Sequence, residues 1–203
     1  MRKALSQPWI GVMLLSLALP SWAWTGQNQC SDEDSLNVNA VAILRWYGAN
    51  QTTQFPLGGG GLAFDGASIW IGGGALIKVR ASDGKVLGNF SVAGSQLAFD
   101  GANIWVTGGR KNQGFVTKVR ASDGTVLGTF NVSPQPQGIV FDGTNIWVTD
   151  NLIAAVTKLR ASDGSVLGVF SVGASPAGLA FDGANIWVAN GGSNSVSKLR
   201  AID

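Results

Sequence analysis

The amino-acid sequence predicts an all-β protein with a β-propeller fold, and three observations support this prediction. The octapeptide FDGANIWV occurs twice, at residues 99–106 and 181–188. An arginine recurs at intervals of 40 residues, at positions 80, 120, 160 and 200. Short runs rich in Val, Ile, Phe and Trp alternate with Asp-Gly turns, which is typical of antiparallel strands joined by hairpins. Four-stranded repeats of about 40 residues are the pattern of propeller blades.

Each repeat contains four predicted strands in a fixed order. The first is a short apolar segment, LAF or IVF, which is followed by an Asp-Gly connection and then by the second strand, IWI or IWV. A loop rich in Gly and Asn leads to the third strand, which ends in KVR or KLR. The turn ASDG then leads to the fourth strand, VLGxFxV. Length differences between repeats fall in the Gly and Asn-rich loop and spare the strands, so this loop is expected at the surface.

The strands are apolar on both faces, which decides between β architectures. In IWV the Trp points to one side of the strand and the Ile and Val to the other, since successive side chains alternate. Strands of this kind need a packed neighbour on each side, and radially arranged blades provide one. A stacked β-solenoid is the alternative, although its repeats are usually shorter and lack paired hairpins.

Three regions are predicted along the chain. Residues 1–23 carry two cations, an apolar run and a small-residue cleavage pattern, as a secretory signal peptide does. Residues 24–41 are polar and are expected to form a flexible leader. Residues 42–203 contain the propeller repeats. The mature protein is therefore expected to be secreted, or to lie in a periplasm or at the cell surface, without a membrane span, because the apolar run near the start is too short.

Charge and cysteine usage narrow the expected partners. The chain has 14 Lys and Arg against 12 Asp and Glu, and removal of Arg2 and Lys3 with the signal peptide leaves a mature chain with no net charge. This balance argues against nucleic acid as a partner. Cys30 is the only cysteine, so no disulfide can form within the chain.

The repeat region raises the question of how a ring of blades closes. Residues 54–57 match a lone fourth strand, three complete units follow, and the last unit reaches only its third strand, which ends at Arg200. The leading strand could complete the last unit and so close a four-bladed ring. A chain cut from a longer propeller, or one completed by a partner chain through an unpaired blade edge, explains the pattern equally well.

The repeats resemble those of a known group of proteins. Segments such as FDGANIWVANGGSNSVSKLRA and PQGIVFDGTNIWVTD are similar to the repeats of secreted bacterial propellers in the NHL and YVTN-like group, especially the virginiamycin B lyase-like superfamily. The resemblance covers the chain from Ala42 onward. The best-known enzyme of that family is a lyase that opens a cyclic depsipeptide antibiotic. The resemblance therefore implies a site with a His base and with a magnesium ion held near a Glu. This chain has no His and its only Glu is Glu33, in the leader, so those residues have no counterparts in the repeats.

Recurring charged and aromatic residues are first expected to have structural roles. The aspartates of the Asp-Gly connections lie at 65, 100, 142 and 182. Such residues form turns, although a ring of carboxylates could hold a cation. The Lys and Arg pairs that end the third strands are expected in ion pairs between blades or at solvated edges, with an anionic polymer as the alternative partner. The tryptophans at 70, 105, 147 and 187 are expected in the core.

The loops after the second strands are the best candidates for binding, because they are variable and lie at one end of the blades. The candidate binding residues in these loops are Arg110, Lys111, Asn112, Asn151, Asn190 and Asn194. The sequence contains no catalytic set, metal-ligand spacing or phosphate loop, so no catalytic residue, metal or cofactor is predicted.

The predicted function is therefore a secreted binding or scaffold module whose variable loops engage a protein, glycan or surface ligand. The alternative is an enzyme of the virginiamycin B lyase-like group, or a degenerate relative of one, with a metal-assisted site on one rim. Near identity of the repeats favours the first hypothesis, because a catalytic site usually breaks the symmetry at one blade.

Overall fold

The fold is built from β-strands wherever it can be described. The computed structural model of the protein describes residues 54–110 and 113–201, and every regular element within them is a β-strand. The prediction of an all-β propeller fold is therefore confirmed. The predicted signal peptide (1–23) and leader (24–41), with Cys30, lie outside the described residues, as does the predicted start of the repeats at residue 42. Among the described residues no helix has the length and hydropathy that crossing a membrane requires.

Blades 1 and 2 are four-stranded antiparallel sheets in which the strands follow chain order. Blade 1 consists of β1 (Leu62–Phe64), β2 (Ser68–Ile71), β3 (Leu76–Arg80) and β4 (Val86–Phe90). Blade 2 consists of β5 (Leu97–Phe99), β6 (Asn103–Arg110), β7 (Gln113–Arg120) and β8 (Val126–Val132).

Blades 3 and 4 repeat this arrangement, but blade 4 has one strand fewer among the described residues. Blade 3 consists of β9 (Pro136–Phe141), β10 (Asn145–Asp150), β11 (Ala155–Arg160) and β12 (Val166–Ser171). Blade 4 consists of β13 (Pro176–Phe181), β14 (Asn185–Asn190) and β15 (Ser195–Arg200). The four predicted units are thus four blades, and the predicted strands from residue 62 onward lie in their expected places, whereas the strand predicted at residues 54–57 is not formed.

Adjacent blades pack face to face, and each interface uses equivalent residues. The inner strands β1, β5, β9 and β13 lie beside one another in this order. We call the side of a blade that carries the Trp of its second strand the tryptophan face, and the opposite side, which carries the Ile before that Trp, the isoleucine face. Trp105 on the tryptophan face of blade 2 packs in one cluster with Ile146 and Ala161 on the isoleucine face of blade 3. Equivalent clusters join blade 1 to blade 2 and blade 3 to blade 4. Both faces of the central strands are therefore buried, as their apolar pattern predicts.

In blades 1 and 2 a phenylalanine of the outer strand links the tryptophan to the next blade. The rings of Trp70 and Phe90 in blade 1 stack with their centroids 5.5 Å apart. Phe90 also lies directly over Gly124, in the ASDG turn of blade 2, where a methyl group on the glycine would overlap the phenyl ring. Gly124 has a φ of +77°, which only glycine adopts at little cost. The ASDG turn therefore both reverses the chain and receives the preceding blade.

The two terminal blades differ from the two between them because each has one face that no other described blade covers. Trp187 in blade 4 is 40% exposed, whereas the equivalent Trp70, Trp105 and Trp147 are at most 1% exposed. The prediction that all four tryptophans lie in the core is thus correct for three of them. Trp187 differs because nothing among the described residues follows blade 4.

The leading segment does not complete blade 4, so closure of a four-bladed ring by this segment is not what the structure shows. Residues 54–57 form no strand with β15, and the sheet of blade 4 contains only β13, β14 and β15. Instead Phe55 lies over Gly84 of blade 1, as Phe90 lies over Gly124. The segment therefore occupies the place that a fourth strand takes before blade 1.

Candidate functional site

The variable loops of the blades gather at one end of the sheets, together with the connections between blades. We call this end, formed by the loops after β2, β10 and β14, by the end of β6 and the start of β7, and by residues 91–96, 133–135 and 172–175, the loop end. Backbone hydrogen bonds tie the two kinds of segment together. The amide of Gly94 donates to the carbonyl of Gly73 (2.9 Å), and the amide of Asn151 donates to the carbonyl of Gln135 (3.0 Å). The loop end is thus a continuous surface rather than a set of separate hairpins.

Two adjoining clefts open at the loop end. The larger has a volume of about 580 Å³ and lies between residues 91–94 and the β6–β7 hairpin, with Arg110 and Gln113 at its edge. The smaller has a volume of about 430 Å³ and is bordered by Gln135 and Gln137. Gly94, Gly108 and Gly109 border both clefts, so the two clefts adjoin, and we call them together the groove of the loop end.

The chemistry of this groove is polar but almost uncharged. Arg110 is the one charged side chain among the described residues that line it. Gln113, Gln135 and Gln137 are exposed there. Their amide side chains supply both hydrogen-bond donors and acceptors. The groove can therefore bind a neutral polar ligand, such as a sugar or a peptide segment, through paired donors and acceptors.

The predicted binding residues occupy different positions relative to this groove. Arg110 lines it, at the end of β6. Lys111 and Asn112 lie outside the described residues. Asn151 lies in the turn between β10 and β11, and Asn194 in the turn between β14 and β15 with a φ of +48°. The structure thus places these candidates on three different blades and does not bring them together into one cluster.

Asn190 is placed differently from the other candidates, because its side chain is buried. It is 2% exposed, and its amide nitrogen donates to the hydroxyls of Ser195 (3.2 Å) and Ser197 (2.9 Å) in the neighbouring strand. Sequence position alone suggested a loop residue, but Asn190 is the last residue of β14 and points into the hairpin. In the described state its side chain is directed at its own blade rather than at the surface.

The glutamines of the groove were not among the predicted binding residues. Gln135 and Gln137 lie in the connection between blades 2 and 3 and at the start of β9, whereas all the predicted residues follow the second strands. Connections between blades share an end with these loops because the strands alternate in direction. That topological rule could have identified both residues from the sequence.

The opposite end of the blades carries a structural network that recurs in every blade. Oδ1 of Asp100 accepts hydrogen bonds from the backbone amides of Ala102 (2.9 Å) and Asn103 (2.7 Å), which forms the predicted turn. Oδ2 of the same carboxylate accepts a hydrogen bond from the indole Nε1 of Trp105 (2.7 Å). The equivalent indole bonds measure 2.7 to 2.8 Å in the other three blades. The five-residue spacing between Asp and Trp was visible in the sequence, but the bond that it encodes was not predicted.

The hydrogen bonds of these aspartates determine their ionisation. Burial by itself raises the pKa of Asp100, but the bonds from Trp105 and from the backbone outweigh it, so the pKa lies below its usual value. Asp65 and Asp142 follow the same balance. In solvent-exposed Asp182 the indole of Trp187 has the largest effect and holds the pKa far below its usual range. These carboxylates are ionised at neutral pH, but their oxygens already accept N–H groups of their own blades.

A buried lysine connects each blade to the next. Lys118 is 9% exposed, and its Nζ lies 5.1 Å from the ring centroid of Trp105. The same ammonium donates a hydrogen bond across the interface to the carbonyl oxygen of Ala161 in blade 3 (2.7 Å). Lys78 makes the equivalent bond to Ala121 (2.7 Å). The interface thus combines a cation–π contact with a charge-assisted hydrogen bond.

The arginines that follow these lysines have a different role. Arg80, Arg120 and Arg160 each form an ion pair with the aspartate three residues later, at 2.9 to 3.2 Å. These side chains are about half exposed, so the pairs lie within single turns and in solvent. The predicted solvated edges are thus found for the arginines, whereas the lysines reach between blades through backbone carbonyls rather than through the predicted ion pairs.

Replacing Lys118 by methionine is expected to lower the free energy of unfolding by about 1–2 kcal/mol. Methionine keeps the apolar stem but leaves the carbonyl of Ala161 without its donor, and hydrogen bonds to charged groups contribute about 1.5–3 kcal/mol. The methionine avoids part of the desolvation that a buried ammonium suffers, which lowers the net loss. Urea unfolding followed by circular dichroism measures the difference.

The matched control for this substitution is Arg120→Met, two residues along the same strand. It removes an exposed ion pair with Asp123, and such pairs contribute at most about 1 kcal/mol. Equal losses in Lys118→Met and Arg120→Met would show that the bond between blades stabilises the protein no more than a surface pair does.

The described residues contain no group of three or more Cys, Asp or Glu side chains placed to hold a metal ion. The recurring aspartates are separated by blade and are bonded to backbone and indole N–H groups. The described residues form a rigid β scaffold with a groove of neutral polar character, and such a groove is suited to binding a ligand.

Solved structures of similar fold are β-propellers. The chain is similar to hydrazine synthase of Kuenenia stuttgartiensis, with 20% identity and a TM-score of 0.61 over 74% of this chain and 48% of that one. It is also similar to BamB from Moraxella catarrhalis, with 15% identity and a TM-score of 0.58 over 70% of this chain and 42% of that one. The WD40 repeats of RRP9 match with 16% identity and a TM-score of 0.56 over 72% and 52% of the two chains.

These likenesses support the fold and extend no further. The chain spans about half the length of the solved structures that it matches. No protein-family model matches the sequence, and no curated protein sequence matches it either.

Proposed function

We infer that this protein is a secreted binding or scaffold module that engages a neutral polar ligand, a glycan or a protein segment, in the groove of the loop end. The observation that carries this proposal is the groove itself. It lies between the connections that join blades 1 to 3 and the β6–β7 hairpin, and its described lining combines glutamine amides with a single charge, on Arg110.

The distribution of the other polar residues supports the same assignment. The recurring Asp, Trp and Lys side chains of blades 1 to 3 are engaged with each other or with the next blade, and the Arg side chains with their own turns. The loop end is where sequence varies between blades, and variable loops on a rigid scaffold are where binding residues concentrate. Ligand sites are typically concave with a few directed polar groups.

The expected signal peptide supports export, and the resemblance of the repeats to the NHL and virginiamycin B lyase-like propellers supports an extracellular or periplasmic role. The lyase activity of that family is the weaker candidate. The chain has no His, and its only Glu, Glu33, lies in the predicted leader.

An array of neutral and charged glycans and of immobilised peptides tests this proposal when probed with the labelled protein. We expect binding to neutral members of the array. Replacing Gln135 and Gln137 together by alanine is expected to weaken that binding at least about tenfold. Each amide that is removed leaves the donor and acceptor groups of the ligand that it had paired without a partner.

The control removes the Ser122 and Ser162 hydroxyls by alanine substitution at the opposite end of the blades, and binding should be unchanged. Equal loss in both variants, or the absence of any bound neutral glycan or peptide, would contradict a ligand groove at the loop end. Disappearance of virginiamycin B on chromatography after incubation with the protein and magnesium would favour the enzyme instead.

A further inference from the structure

The tryptophan face of blade 4 is assembled like those of the other blades but has no described blade against it. The indole of Trp187 donates to Asp182 (2.7 Å), and Nζ of Lys198 lies 4.9 Å from the centroid of the indole ring. Val196 is 64% exposed, whereas the equivalent Val116 and Val156 are fully buried. The groups that join blades 1 to 3 to their successors are therefore present and uncovered in blade 4.

The isoleucine face of blade 1 is uncovered at its inner strand and at its ASDG turn, although Ile71 and Val79 of its central strands are buried. Leu62 is 65% exposed, whereas the equivalent Leu97 of blade 2 is 8% exposed. Ala81 is exposed, whereas the equivalent Ala121 and Ala161, whose carbonyls accept the lysine bonds, are buried. Blade 1 thus presents the surface on which the tryptophan face of a preceding blade would rest.

The leading segment adds a third element at the same place. In blades 1 and 2 a fourth strand places a phenylalanine over the glycine of the next blade's turn, Phe90 over Gly124 and Phe130 over Gly164. Phe55 lies over Gly84 in the same manner. Blade 1 therefore already carries the outermost piece of a preceding blade, while blade 4 has three strands among the described residues.

We propose that two copies of this chain form a closed ring of eight blades, in which the tryptophan face of blade 4 of each copy docks on the isoleucine face of blade 1 of the other. In each junction Lys198 donates its hydrogen bond to the carbonyl of Ala81 of the second copy. The Phe55 segment of the second copy lies beside β15 and completes blade 4 as its outer strand.

The occupant of these faces is a second copy because the required contacts are those that the chain already makes three times within itself. The same residue types, Trp and Lys on one side and the Ala-Ser-Asp-Gly turn on the other, stand at both uncovered faces. In this structure blade 4 does not rest on blade 1 of its own chain, since Trp187 and Leu62 are both exposed. Propeller rings have four to eight blades, so two arcs of four reach the upper end of that range.

This assembly uses faces that are separate from the ligand groove, so it does not depend on the proposed function. It also pairs the outer edge of β15 in each copy, which has no partner strand among the described residues, and unpaired strand edges are sites of unwanted association. A two-fold arrangement closes, whereas the same contacts without closure would give an open chain of copies.

Light scattering on the full chain tests the assembly over a range of protein concentrations. We expect a mass of two chains. Lys198→Glu and Ala81→Lys should each give a mass of one chain, with association weakened at least about tenfold, because each variant places a charge against a partner surface that cannot pair with it. Both residues are exposed in the single chain, so neither substitution disturbs its folding.

Two matched controls keep the result specific. Arg200→Glu makes the same charge change as Lys198→Glu two residues along β15, and the equivalent arginines stay about half exposed within joined blades. Ser82→Lys makes the same kind of change next to Ala81, where the equivalent Ser122 and Ser162 remain exposed. Both control variants should retain the two-chain mass.

A mixing experiment confirms that the variant chains are folded. In an equimolar mixture of the two variants, the Ala81→Lys chain keeps a native face on blade 4. The Lys198→Glu chain keeps a native face on blade 1. One junction can therefore form, and a two-chain species should reappear. The proposed ring would be overturned if the unmodified protein had a one-chain mass at every concentration or formed a ladder of larger masses. Loss of the dimer in the control variants, or failure of the mixture to associate, would also overturn it.

Discussion

Replacing Trp105 by alanine is expected to lower the free energy of unfolding by about 3–5 kcal/mol, the range for large aromatic side chains removed from a core. The indole is fully buried between blades 2 and 3, and its ring lies 5.6 Å from that of Phe130. Its removal leaves a cavity at the centre of the interface and takes the indole donor away from Asp100. Chemical denaturation of the variant and the unmodified protein measures the loss.

Two further substitutions divide this loss into its parts. Trp105→Phe keeps most of the buried surface but removes the indole N–H. It should therefore lower the free energy of unfolding less than Trp105→Ala does, because it leaves one hydrogen bond unmade without opening a large cavity. Val166→Ala, at a position 51% exposed on an outer strand, should change stability by no more than about 0.5 kcal/mol. A Trp105→Ala variant as stable as Val166→Ala would show that the blades do not depend on this interface.

Replacing Gly124 by alanine is expected to lower the free energy of unfolding by about 2–4 kcal/mol, for two separate reasons. The residue has a φ of +77°, and a left-handed conformation costs a residue with a Cβ about 1–2 kcal/mol. The new methyl group would also overlap the ring of Phe90 from the preceding blade, and such overpacking costs about 1–3 kcal/mol. Denaturant unfolding is again the measurement.

Gly143→Ala is the matched control, because it isolates the backbone contribution. Gly143 has a φ of +98°, and a methyl group built there meets no atom within 4 Å. Its substitution should therefore cost only the conformational strain. In a Phe90→Ala background the cost of Gly124→Ala should fall toward that of Gly143→Ala. An unchanged cost in that background would show that the phenyl ring is not what the glycine accommodates.

Much of the fold could be predicted from the sequence because its signals are local and repeated. The Asp-Gly connections and the ASDG turns mark where strands reverse, and their recurrence fixes four blades of similar strand order. The place of each tryptophan between apolar β-branched residues predicts burial, which the structure confirms for Trp105 but not for Trp187. The candidate site was predicted less completely: Arg110 lines the groove, while Asn190 is turned into its own hairpin because it ends a strand rather than lying in a loop.

The sequence by itself determined the strands, the turns and the residue types that every blade repeats, since these depend on alternation and on backbone preferences within a few residues. Only the tertiary structure decided that Lys118 reaches Ala161 in the next blade, that Phe55 rests on blade 1, and that Trp187 is left uncovered. The physical reason is that identical repeats have identical local energies. Whether a face is buried depends on which blade stands against it, and that neighbour is set by the arrangement of whole sheets rather than by the residues of the face.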